Sequence, residues 1–348
     1  MNKKNQNQEK EKISKILAKD NFNYDYLSNI LNKKYFKILL STADIPVSRL
    51  TTKSILKFIY GKTIGSLIET LGIHYYFKKF LNREFIAETT IKFPNGLNRN
   101  IKYFPNNKWS NIFDIFLTTS TIEGELIKKK FKSKKILQIG YPRFLNKQIN
   151  SESLKEEFFI NSQKKTIFCC PNERIIFEQN EDSIIKYIQI LKLLEKKYNL
   201  ILRPHPKLQF TRPKYYQMIK NSGLKVDLKM NRTIHDLFLI SDLILVDYGS
   251  SVLEALYLKK KIIVYEWSNE KKFKILFDKE NCLDFIIREK ISESKILPNI
   301  QKEQTCDFVN RIENDEKYQS KINELSEDLF SLQKKNKNFM EFINNIYV

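Results

Sequence analysis

Glycine and proline are scarce in this chain, 8 and 9 among 348 residues, and that excludes collagen-like repeats and Pro/Gly-rich low-complexity sequence. Cysteine is scarcer still. Cys169, Cys170, Cys282 and Cys306 form no Cys-x-x-Cys pair and have no zinc-like spacing with histidine, so neither a disulfide scaffold nor a metal finger is expected. No run approaches the roughly 18 apolar residues of a membrane-spanning helix. The longest candidate, Leu237 to Val246, is interrupted by Ser241 and Asp242. The opening MNKKNQNQEKEKISK is polar and charged with no apolar segment behind it, which predicts no secretory signal. A cytoplasmic protein is expected, soluble or peripheral on the inner face of the membrane.

What is present is ordinary material for a core. Hydrophobic residues make up 42%, charged residues 29% and aromatics 13%, so wholesale disorder is not expected. The length suggests two domains at about 100–200 residues each. Lys+Arg 61 against Asp+Glu 40 gives +21. Such an excess suits a polyanionic partner: nucleic acid, an anionic leaflet or a phosphate-rich substrate. Lys, Ile and Asn are abundant along the whole chain, so compositional drift explains the charge equally well. No zinc-finger, homeodomain or RNA-recognition signature is present, so nucleic acid is not expected as a partner. An anionic membrane surface is the better functional option.

Apolar patterning then organises the chain. Residues 1–30 read as a loose arm and a helix, Tyr35 to Leu40 as a strand, and Thr51 to Phe80 as helical. Glu84 to Phe93 reads as a strand ending at Pro94-Asn95-Gly96, and Ile112 to Thr118 as another. A helix Thr121 to Phe131 and a strand Ile136 to Ile139 follow. Asn146 to Gln163 reads as a polar linker. Beyond it, strands are predicted at Thr166 to Cys170, Leu200 to Leu202, Lys225 to Leu228, Leu243 to Val246 and Ile262 to Tyr265. Helices are predicted at Asp182 to Lys197, Arg212 to Asn221, Thr233 to Ser241 and Val252 to Leu258. This βα alternation predicts an α/β protein with a doubly wound parallel sheet, whose ligands sit at the carboxyl ends of the strands. Past Pro298 the chain reads as charged helix packing back across the domains.

Two predicted loops lie at such strand ends. In Arg203-Pro204-His205-Pro206-Lys207, flanking prolines restrict the backbone around an imidazole and two cations add positive charge. That histidine can donate to a phosphate oxygen or stabilise a departing phosphate, although a plain surface histidine fits the same position. Asp247-Tyr248-Gly249-Ser250-Ser251 is a small, hydroxyl-rich turn entering a helix, which suits a phosphate cradle or simple N-capping. His74, in an apolar helical stretch, reads as packing. His235, at a helix start, is expected to be exposed or capping.

Several segments together resemble the CDP-glycerol glycerophosphotransferase family, the teichoic-acid and capsule-type polymerases. They are the His-Pro loop, Ser241-Asp242 through Ser251, Lys260 to Tyr265, Gly140-Tyr141-Pro142-Arg143, Cys170 to Arg174, and Asp114 to Ser120. The resemblance covers roughly Asp114 to Tyr265. It implies a GT-B-like architecture of two Rossmann-like doubly wound domains facing across a cleft. Residues 1–150 would form the acceptor domain, 160–300 the nucleotide-donor domain and 301–348 a helical segment. His205 would meet the donor diphosphate and assist the CMP leaving group, with Asp247 orienting the loop or its histidine. Ser250, Ser251 and Gly249 would bind phosphate, and Arg174 and Arg203 would offset its charge; Glu254, one turn into the helix, stands where many other GT-B enzymes carry a glutamate that binds a ribose hydroxyl. Arg143 and Asn95 would lie on the acceptor side. The family carries a His-Gly base where this chain has Asn95-Gly96, and a neutral amide cannot take the proton.

The implied reaction moves glycerol or ribitol phosphate from a CDP-activated donor to a saccharide or lipid-linked acceptor. No metal is implied, since no DxD stands at a strand end, and no cofactor beyond the activated donor. A CMP-sugar glycosyltransferase of sialic acid or Kdo type carries a similar His-Pro and Ser-Ser arrangement. A non-catalytic nucleotide-binding scaffold of surface-polysaccharide assembly is the third reading.

Overall fold

A computed structural model describes residues 36–41, 87–92, 113–132, 134–140, 151–172, 181–229, 232–267, 283–296 and 302–330. Contacts divide the chain into two compact units: Met1–Ser41, Ile45–Ile91 and Ile112–Asp114 form one, and Thr42–Asp44, Lys92–Asn111 and Ile115–Val348 the other. In the first, strands β1 (Phe36–Ser41) and β2 (Ala87–Lys92) are neighbours. The Asp114 carboxylate accepts both the Thr90 N–H (2.9 Å) and the Thr90 hydroxyl (2.8 Å), so an acidic residue of the recognised strand motif holds β2. The predicted helix at Thr51 to Phe80 and the Pro94-Asn95-Gly96 turn lie outside the described residues.

The second unit opens with β3 (Ile115–Thr118), α1 (Thr121–Lys130) and β4 (Lys135–Gln138), the two strands pairing in parallel. Ser120 caps α1 by accepting the Glu123 N–H at 3.1 Å, and Glu123 accepts in turn from Thr119. The predicted linker then contains a short helix, α2 (Ser151–Glu157). Its polar composition concealed it: no residue of α2 is buried, and only Leu154 packs partly against the core.

Five parallel strands follow in the order β6-β5-β7-β8-β9. They are β5 (Thr166–Cys170), β6 (Asn199–Leu202), β7 (Leu243–Val246), β8 (Lys261–Tyr265) and β9 (Lys295–Ile296). Every residue of β5 to β8 is buried, which explains their unbroken Ile, Leu, Val and Phe: helices cover both faces of such a sheet. Among the covering helices is α3 (Glu181–Lys197), where Ile184, Tyr187, Leu191 and Leu194 recur at helical spacing on the buried face. Each such side chain contributes about 1.5–3 kcal/mol by leaving water. The predicted helix at Arg212 to Asn221 is α5 (Pro213–Lys220), opened by Pro213, and a short helix that the sequence reading lacked, α4 (Leu208–Thr211), precedes it. The predicted strand at Lys225 to Leu228 is only a single bridge, Leu202 to Val226, because Asp227 turns away to bind two arginines.

Beyond α6 (Ile234–Leu239), α7 (Ser250–Tyr257) and α8 (Leu283–Lys290), the chain ends its described course in α9 (Lys302–Asn314) and α10 (Glu316–Phe330). Near its start α10 grips the sheet: the Tyr318 hydroxyl donates to the Ile262 carbonyl at 2.7 Å. At its end the Leu329 carbonyl accepts from Gln138 Nε2 (3.2 Å) and the Asp328 carbonyl from Thr121 Oγ1 (3.1 Å). The last described helix therefore runs from β8 to the β3–α1–β4 segment. Among the described residues no helix is long and apolar enough to cross a membrane.

Candidate active site

The chain order places a crevice. After β5 it lays β6 on one side and β7 on the other, so a topological switch falls between β5 and β7, where open α/β sheets bind ligands. Cys169 is level with Leu202 and Cys170 with Val246, so the loops after β5, β6 and β7 leave the same edge at the same height. β6 and β7 stand two strand spacings apart, about 10 Å. The His205 loop and the mouth of α7 therefore flank the loop after β5, Pro171-Asn172.

His205 is half-buried, and its Nδ1 accepts the Lys207 N–H at 3.2 Å while its carbonyl accepts from Leu208 at 2.9 Å. With Nδ1 as acceptor, the neutral ring carries its hydrogen on Nε2. Arg203 holds the base of this loop. Its guanidinium donates to Asp227 (2.9 Å) and to the Arg232 carbonyl (2.8 Å), and Arg203 and Asp227 are both largely buried. Burial pulls the Arg203 pKa down while Asp227 pushes it back up.

Asp247 is the knot of the edge. Its carboxylate accepts the Asn172 N–H with both oxygens (2.9 and 3.1 Å), the Tyr248 N–H (2.6 Å) and the Trp267 Nε1–H (3.1 Å). Those three donors follow β5, β7 and β8, so one buried side chain ties three strand ends. Asn172 returns a bond from Nδ2 to the Tyr248 carbonyl at 2.8 Å. This draws its amide against Gly249, where φ is 99° and a Cβ would stand 2.4 Å from Nδ2. Both the dihedral and the space require glycine. The turn can thus approach Asn172 closely while opening into α7.

Ser250 begins α7 partly exposed, whereas Ser251 is buried and bonded with the Cys170 thiol. Glu254 is 2% exposed, one turn inside the same helix, and its charge acts on Cys170. Burial, then Asp247, pushes the Cys170 thiol well up, and burial alone does the same to Cys169, so both are protonated packing groups. Arg174, Arg143, Asn95, His74 and Cys282 lie outside the described residues. His235 is neither exposed nor the cap. It is 4% exposed in the core, and the start of α6 is closed by the Asp236 carboxylate, which accepts the Thr233 N–H (3.2 Å) and the Thr233 hydroxyl (2.7 Å).

Sequence reading missed a second layer beneath the turn. Asp284, 0% exposed, accepts the Gly249 N–H at 2.8 Å. Arg288 lies 3.8 Å over the Tyr248 ring and binds Glu266 at 2.9 Å, and Glu266 also meets Lys295 at 3.2 Å. Charged residues read as surface in a sequence, and only partner separations of 22 to 40 residues bring these inward.

A match to the family described as CDP-Glycerol:Poly(glycerophosphate) glycerophosphotransferase extends over residues 98–338, more than two thirds of the chain. The chain belongs to this family. Among curated proteins, the teichoic acid poly(glycerol phosphate) polymerase of Bacillus spizizenii is 28% identical over 170 residues, 46% of this chain and 41% of that protein. The chain thus spans about two fifths of the length of that relative. Among solved structures, the wall teichoic acid polymerase TagF aligns with a TM-score of 0.51 at 19% identity, covering 74% of this chain and 67% of that one. A TagF variant soaked with CDPG aligns at 0.53 and 20% identity, covering 76% and 67%. The α/β, GT-B-like fold with parallel sheets implied by the family resemblance is the fold shared with these structures.

Proposed function

We propose that this chain moves a polyol phosphate, glycerol phosphate foremost, from a CDP-activated donor to a hydroxyl of a surface-polymer acceptor, releasing CMP. The observation that carries the reading is the placement of His205 and the α7 mouth on either side of one topological switch point. Family membership and the CDPG soak of a TagF variant support the donor class.

In this reaction the acceptor oxygen attacks the distal phosphorus. A new O–P bond forms, the bond from that phosphorus to the bridging oxygen breaks, and its electron pair leaves with CMP. Negative charge grows on the bridging oxygen. The Nε2–H of His205 and the first N–H groups of α7, with the Ser250 hydroxyl, supply fixed donors for it, while Ser251, turned to the Cys170 thiol, packs the helix start. Asp247 acts as a positioning residue that keeps the three loops in register. Arg174 adds positive charge at the phosphates and Glu254 meets the ribose. Arg203 acts indirectly, as the anchor of the His205 loop. Asn95 and Arg143 belong to the acceptor side, and the hydroxyl proton goes to a base other than Asn95.

The acceptor is lipid-linked or membrane-borne in this reading, and the +21 charge holds the protein against anionic lipid. Sedimentation with anionic vesicles that fades with added salt supports that part, and equal sedimentation with neutral vesicles refutes it. The deciding assay is a donor screen with CDP-glycerol, CDP-ribitol, CMP-sialic acid, CMP-Kdo and UDP-sugars, reading nucleotide release with a polyol-phosphate acceptor. CMP from a CDP-polyol is the expected product. Release only from a CMP-sugar or UDP-sugar, or CDP binding with no turnover of any donor, overturns the proposal.

A further inference from the structure

The turn at Tyr248-Gly249 is held from two sides. The loop after β5 grips it through Asn172, and α8 grips it from beneath. Asp284 stands in the first turn of α8 and Arg288 four residues later, on the same helical face. The first takes the Gly249 N–H at 2.8 Å, and the second covers the Tyr248 ring at 3.8 Å. Glu266, just past the end of β8, fixes the guanidinium at 2.9 Å and is itself steadied by Lys295. Asp284, Arg288 and Glu266 are all nine-tenths or more buried.

Burying three charged side chains is a costly way to fill space, since apolar residues of similar volume usually serve stability as well or better. What charges add here is direction. The Gly249 N–H must point along its bond to the Asp284 carboxylate, and a guanidinium 3.8 Å over the Tyr248 ring restrains the face of that ring. Both restraints act on the two residues immediately before Ser250. The Gly249 N–H is drawn inward toward Asp284, and the next residue, Ser250, opens α7 at the carboxyl edge of β7.

We propose that Asp284 and Arg288 are positioning residues, which aim the phosphate-binding mouth of α7 without touching the donor. The proposal rests on the CDP-dependent reading above and deepens it by naming what sets that mouth.

The test uses the full chain and CDP as the probe, followed by calorimetry, with thermal midpoint and donor KM measured alongside. Asp284→Ala is expected to weaken CDP binding and raise the CDP-glycerol KM by about tenfold or more, with a smaller change in kcat. Asp284→Asn keeps an oxygen for the Gly249 N–H and is expected to stay within about threefold of the parent. Ile312→Ala, in α9 and buried, lowers the thermal midpoint and leaves CDP affinity unchanged, because the neighbouring Glu313 is tied to Lys261 at the amino end of β8, the sheet edge opposite the turn. Should Asp284→Ala fail to fold, Arg288→Lys keeps the charge, loses the planar stack, and is expected to weaken CDP binding severalfold. A parent that binds CDP, with Asp284→Ala or Arg288→Lys destabilised yet binding equally well, overturns the positioning role alone. A parent that binds no CDP overturns both this role and the functional reading.

Discussion

Gly249→Ala tests the turn where its geometry is least forgiving. At φ 99° and ψ −164° the backbone occupies a region essentially reserved for glycine, so an alanine there costs about 1–3 kcal/mol. The new Cβ would stand 2.4 Å from Asn172 Nδ2. That amide cannot swing away freely, since it is bonded to the Tyr248 carbonyl at 2.8 Å while Asp247 holds the Asn172 N–H. Moving it forfeits about 1 kcal/mol more of hydrogen bonding. The expected loss is about 2–4 kcal/mol, read as a lowered urea midpoint at constant slope. Relief by movement of the turn would misplace the α7 mouth, so CDP affinity falls as well. Gly223→Ala is the internal control: φ there is 79°, but a Cβ meets nothing within 4 Å. It carries only the dihedral cost, about 1–2 kcal/mol, and leaves CDP affinity intact. If Gly249→Ala is no less stable than Gly223→Ala and binds CDP like the parent, the close-approach account of this turn is wrong.

Replacing the His205 ring by Ala removes one half-buried side chain, so stability should change little while CMP release falls about 10²–10⁴-fold. Unchanged turnover would remove His205 from the reaction. Asp247→Asn places an amide NH2 among three N–H donors and should cost about 1–3 kcal/mol, with weakened CDP binding in the folded fraction. A parent-like denaturation curve would contradict the knot described here. Cys169 and Cys170, buried with thiols pushed up by burial, should resist iodoacetamide at pH 8 until the protein unfolds. Peptide mapping that finds either residue alkylated in the native protein would count against the packing of β5.

The five-stranded sheet was legible because its strands are buried on both faces. Phe168 or Ile244 has no polar alternation to obscure it, and the turns after them carry Pro171 and Gly249. The carboxyl-edge position of His205 and Ser250 followed from the same βα alternation. Legibility failed where a residue's partner is distant in sequence. Lys225 to Leu228 has strand-like alternation, yet Asp227 is committed to Arg203 and Arg232, and pairing stops at Val226. His235 was misplaced because a polar residue at a helix start ordinarily faces water, whereas α6 is buried at that position as well as at Leu237 and Phe238. The α8 layer was invisible for a related reason: nothing local distinguishes Asp284 and Arg288 from the many solvated charges of this chain.

Helix α10 has a consequence for the order in which the protein can assemble during synthesis. The ribosome delivers β8 more than fifty residues before Tyr318, which caps the Ile262 carbonyl, and Phe330, which packs on Tyr257. Until those residues emerge, the nascent chain exposes part of an apolar sheet face that the finished protein hides. Chaperone occupancy on stalled nascent chains should therefore persist past the synthesis of β9 and drop only once residue 330 has cleared the exit tunnel.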